Sequence, residues 1–87
     1  MSYYPNTIAA VRKILQDNFP GLKSEKGLDN LPAHLLWMLE KIEGMANDPA
    51  KAGRWMGYIL RGIEELGLLT NQESRNMVRE DVRAGNE

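Results

Sequence analysis

Apolar residues recur along the chain at spacings of three and four, with no convincing period-two alternation. Ile8, Val11, Ile14, Leu15 and Phe19 make one such stripe. They predict a helix over about 7–19, capped by Asn6 or Thr7 and stopped at Pro20–Gly21. A polar stretch over about 22–30 follows as a loop, with Leu22 and Leu28 tucked onto the core. Leu35, Met38, Leu39, Ile42, Met45 and Ala46 fall within one arc and predict a second helix over about 31–46. Asn30 or Leu31 stands at its cap, and Pro32 fits the first turn, where its missing N–H is not needed.

Asn47–Asp48 is a tight connection, with Asp48 a good N-cap and Pro49 a good first residue. The third helix then runs to about residue 66, and Gly67 supplies its stop. Its core face carries Ala52, Trp55, Met56, Ile59, Ile63 and Leu66. So short a link makes the second and third helices an antiparallel hairpin. Thr70-Asn71-Gln72-Glu73 matches a capping box and opens a fourth helix over about 71–84. There Val78 and Val82 define a narrow apolar face with Met77 at its edge, and Gly85 ends the helix. The expected fold is all-α, a small bundle of about four helices built on the helix 2–helix 3 hairpin. It is a single domain over 1–87, with an N-terminal arm at 1–6 and a frayed tail at 85–87.

Composition narrows the function. Eighty-seven residues are just enough to bury a core without disulfides or metals. With no cysteine, a disulfide framework, a thiolate zinc site and a thiol nucleophile are all excluded. The net charge of −1 argues against a dedicated nucleic-acid binder, though not against a local basic patch. "MSYYPNT" lacks the basic and apolar regions of a signal peptide, and no apolar run approaches the roughly 18 residues of a membrane span. The expected location is the cytoplasm, with no membrane partner.

The third helix raises a question of its own. "KAGRWMGYILRGIEELG" holds Gly53, Gly57 and Gly62 in its interior, each costing about 1 kcal/mol relative to alanine. On a helical projection Gly53 and Gly57 lie with Ala50 on a flank beside Leu60, while Gly62 lies on the opposite flank near Trp55. Gly53 and Gly57 are therefore candidates for close packing, against another helix of the chain or against a second copy. The other readings are a ligand lying on bare backbone, or glycines tolerated with no special role.

Three sets of side chains stand outside the predicted core. Trp37 points nearly opposite the second helix's apolar stripe, near His34, Lys41 and Gly44. Either Tyr3 and Tyr4 or the 22–30 loop covers it, or it sits in an interface. Arg54, Tyr58, Arg61 and Glu65 share the polar side of the third helix, with Arg61 and Glu65 spaced for an i,i+4 ion pair. Tyrosine and arginine are favoured interface residues. Arg75, Arg79 and Arg83 form a stripe on the fourth helix. Either Glu73, Glu80, Asp81 or acids on a neighbouring helix neutralise it, or it is a basic comb for phosphates or an acidic partner.

No reaction machinery is legible. There is neither a GxxxxGK[ST] loop nor a GxGxxG after a strand. The lone His34 has no paired carboxylate or activated serine, so no catalytic, cofactor-binding or metal-binding residue is assigned. Glu73 and Asn76 stand where a helix-turn-helix would need apolar packing residues.

"HLLWMLEKIEGM" (residues 34–45) and "KAGRWMGYILRGIEELGLLTNQESRNMVREDV" (residues 51–82) resemble a type of small helical protein encoded by bacteriophages and prophages. The resemblance rests on a His-Leu-x-Trp-Met…Lys-Ala-x-Arg-Trp-x-Gly-Tyr pattern over about residues 31–82. It implies a phage accessory role inside a bacterial host and carries over no catalytic residues. The expected function is therefore non-enzymatic: contact with a host or phage protein, or assembly into a homodimer. His34, Trp37, Arg54, Tyr58 and Arg61 are the contact candidates. The alternative is nucleic-acid or nucleotide binding through Arg75, Arg79 and Arg83, with Arg61.

Overall fold

The computed structural model describes residues 3–27, 29–45 and 48–85, the last three of these by their backbone alone. Among the described residues there are four α-helices and no strand: α1 (Pro5–Asn18), α2 (Leu31–Glu43), α3 (Pro49–Glu65) and α4 (Asn71–Gly85). None of them is long and apolar enough to cross a membrane. The expected roles of Leu28, Ala46 and Asn47, and most of the tail, lie outside the described residues.

Local chemistry accounts for most helix ends. Asn30 Oδ1 accepts from Ala33 N at 3.4 Å and Asp48 Oδ1 from Lys51 N at 3.0 Å, each preceding a helix with proline in its first turn. The capping box closes reciprocally: Thr70 N donates to Glu73 Oε1 at 3.0 Å and Glu73 N to Thr70 Oγ1 at 3.2 Å. At the end of α3, Gly67 takes φ 75°, Gly67 N donates to Glu64 O and Leu68 N to Ile63 O. That paired pattern needs a left-handed residue, which glycine supplies without a Cβ clash. α2 stops at Glu43, three residues short of the expected end, with Gly44 as its cap.

The start of α1 departs from expectation. The helix begins at Pro5 rather than near Thr7, and neither Asn6 nor Thr7 caps it. Tyr4 is the cap residue, in the left-handed region (φ 54°, ψ 50°), and makes no side-chain cap bond. Asp81 of α4 caps the helix instead, with Oδ1 accepting from Asn6 N at 3.1 Å and Oδ2 from Thr7 N at 2.6 Å. The Thr7 hydroxyl also donates to Asp81 Oδ2 and lies 3.4 Å from the Met77 carbonyl. One carboxylate thus satisfies two orphan amides of a helix 74 and 75 residues away in sequence.

The core is aliphatic. Val11 and Leu15 of α1, Leu35, Leu39 and Ile42 of α2, and Ile59 and Ile63 of α3 have no exposed surface. Burying each such side chain contributes about 1.5–3 kcal/mol. α2 and α3 share the most extensive helix–helix contact. Along it His34 neighbours Tyr58 and Trp37 neighbours Trp55, the order expected of an antiparallel pair.

α4 faces inward with Ser74, Met77, Val78 and Asp81. Val82, expected on the apolar face, is instead 49% exposed. The Asp81–Thr7 bonds tie α4 to α1, and the contact of α4 with α1 is more extensive than its contact with α3.

Candidate functional site

Two surfaces draw together the side chains that the sequence singled out. The first is an aromatic cluster on α2 and α3. His34 and Trp37 stack with ring centroids 5.7 Å apart and planes 17° apart. Tyr58 meets His34 edge-on at 6.2 Å, and Trp55 lies 6.0 Å from Trp37. Lys26 and Lys41 each place an ammonium 5.4 Å from the Trp37 ring centre, and Lys51 lies 5.5 Å from that of Trp55. These are attractive cation–π distances.

The loop before α2 helps to build this cluster. Glu25 N donates to Ala33 O at 3.1 Å, and Gly27 N donates to His34 Nδ1 at 3.1 Å. His34 Nδ1 is therefore an acceptor, which places the neutral ring's proton on Nε2. Trp37 is half-buried under Lys26 of that loop and its own neighbours. Tyr4 goes elsewhere: its Oη stands 3.4 Å from where a Cβ of Gly53 would be. Tyr58 remains 46% exposed, the largest exposed aromatic surface among the described residues. Beside it, Leu31, Tyr58, Arg61, Gly62 and Glu65 line a hollow of about 320 Å³. Arg54 stands exposed on the same helix.

The second surface is a cleft of about 770 Å³ between α3 and α4. Arg61 from α3 and Arg75 and Arg79 from α4 line it, together with Gly57, Leu60 and Val78. Three acids near the stripe have other partners, Glu64 within the cleft itself, and Glu80 stands exposed without an ion pair among the described residues. Asp81 caps α1, Glu73 closes its own capping box, and Glu64 accepts from Asn71 Nδ2 at 3.2 Å. Among the described residues neither Arg75 nor Arg79 makes an ion pair, and the expected Arg61–Glu65 pair does not form. Arg83 belongs to α4, but its side chain lies outside the described residues.

The glycines separate differently from the helical projection. A Cβ at Gly57 would meet nothing within 4 Å, so no described helix of this chain approaches there. α4, held to α1, leaves that flank open as the rim of the cleft. The close approach inside the chain is at Gly62, where a Cβ would lie 2.9 Å from both terminal methyls of Leu35. Gly62 makes room for α2 rather than for Trp55.

Trp55, Lys26 and Lys51 join the aromatic cluster without having been singled out by the sequence. The hairpin signal could have found Trp55, because an antiparallel pair sets it opposite Trp37. Among the described residues no group of three or more His, Cys, Asp or Glu side chains could hold a metal ion. No known protein family, curated protein or solved structure matches the chain.

Proposed function

We propose that the chain is a non-enzymatic binding module that recognises another protein through the cluster of His34, Trp37 and Tyr58. The observation that carries this reading is a 46% exposed tyrosine on an aromatic platform rimmed by Lys26, Lys41 and Lys51. Tyrosine and tryptophan are enriched among the few residues that dominate interface energetics. The hollow beside Tyr58 gives a partner's apolar side chain a seat, and the cationic rim favours an acidic surround.

The resemblance to small phage proteins makes a bacterial host protein in the cytoplasm the first partner to seek, with a second copy of the chain as the other. Affinity capture from a bacterial lysate by wild type and by Tyr58→Ala tests the reading. A protein held by wild type and lost by the variant supports it. Identical captures by both refute it. Light scattering over a range of concentrations separates self-assembly from host binding.

A further inference from the structure

The arginine cleft shares Arg61 with the hollow beside Tyr58 but takes the rest of its lining from other residues of α3 and α4. We propose that it binds a small phosphorylated ligand, with Arg61, Arg75 and Arg79 on the phosphate and Leu60 and Val78 against a flat or apolar body.

Four observations converge on this. Three guanidinium groups line one cleft with no acidic partner among the described residues, against the single carboxylate of Glu64. Unpaired arginines from two helices offer the forked donors that a phosphate accepts. Ser74, on the same wall, is 3% exposed, and its buried hydroxyl has no hydrogen-bond partner. Buried polar groups of this kind are rare, and one beside an arginine trio is explained if a ligand oxygen completes it. The volume of about 770 Å³ falls within the range of small-molecule sites.

Gly57 supplies the fourth observation. Gly57, a helix-interior residue that costs stability, lines the cleft at a point where an added Cβ would meet nothing within 4 Å. A Cβ there would stand at the cleft wall without a clash, and a longer side chain would take up cleft space. The overall charge of −1 favours a compact anion over a nucleic-acid strand, which draws on a broad basic surface.

The test is calorimetric titration of the full chain with inorganic phosphate, adenosine 5′-monophosphate, adenosine and a short single-stranded oligonucleotide. Saturable binding of adenosine monophosphate is expected, with inorganic phosphate weaker and adenosine weaker still. Arg75→Gln and Arg79→Gln are each expected to lower its affinity at least about tenfold. Gly57→Leu should abolish binding without lowering the melting temperature, and Ser74→Ala should weaken binding without unfolding the chain. Tyr58→Ala should leave adenosine monophosphate binding unchanged, so this proposal and the protein-contact reading fail separately.

Absence of saturable binding by both phosphate probes would overturn the proposal. So would equal affinities in wild type, Arg79→Gln and Gly57→Leu. Binding of the oligonucleotide alone, steeply weakened by salt, would overturn it in favour of a polymeric ligand.

Discussion

Asp81 near the end of α4 caps α1 through Thr7, accepting from its amide at 2.6 Å and from its hydroxyl. The carboxylate is only 7% exposed. This tie holds α4 against α1, while a Cβ at Gly57 on α3 would meet nothing within 4 Å.

Asp81→Ala should therefore destabilise the domain by about 2–3 kcal/mol, combining a lost cap with two unsatisfied amides. The melting temperature should fall by roughly 10–20 °C. Asp81→Asn should recover only part of the loss, since one amide oxygen replaces two acceptors. In a double-mutant cycle Thr7→Val and Asp81→Ala should be strongly non-additive. Additive effects would mean that the two side chains do not act together.

The glycines of α3 should respond with opposite signs. Gly57→Ala should stabilise by about 1 kcal/mol, because the added methyl meets nothing and gains helix propensity. Gly62→Ala should destabilise by about 1–3 kcal/mol, because both end methyls of the fully buried Leu35 must shift to admit the added methyl. Denaturant midpoints of the two variants check this. A shift in the same direction for both contradicts it.

The Thr70 backbone N–H, and after it the Thr70 side chain, hold the Glu73 carboxyl below its ordinary value. A lowered folded value means that the capping box stabilises α4 above the ordinary carboxylate range. That contribution is lost as pH falls through the lowered value. Amide exchange at Glu73 and Ser74 should accelerate in acid over that window. Glu73→Gln, which keeps a capping-box side chain, should remove this pH dependence. Unchanged acid sensitivity in Glu73→Gln would show that another group governs the first turn of α4.

Most of the fold was legible because its signals are local. Asn30, Asp48, the Thr70–Glu73 box and Gly67 act within a few residues, and the periodic stripes of α1, α2 and α3 name their own buried faces. The start of α1 was not legible, because its cap arrives from Asp81 at the far end of the sequence. α4 misled for a related reason. Its inward face pairs Met77 and Val78 with the polar Ser74 and Asp81, and an apolar count favours Val82 instead. The sequence sets Trp37, Tyr58 and the arginines outside the predicted core. Which of them meet depends on helix placement: Arg61 joins Arg75 and Arg79 across the α3–α4 cleft, while Gly57 faces open space.

The aromatic platform should carry its binding role with little effect on folding. Tyr58→Ala removes an exposed ring and should change stability by no more than about 0.5 kcal/mol. A larger loss, measured by thermal melting, would make Tyr58 a structural residue.

Hydroxyl-radical footprinting of the chain, free and in a complex captured from a bacterial lysate, tests the protein-contact reading most directly. Oxidation of Tyr58 and Trp37 should fall in the complex, while that of Met77 beside α1 should stay unchanged. Full oxidation of Tyr58 in the complex would contradict the assignment of this face.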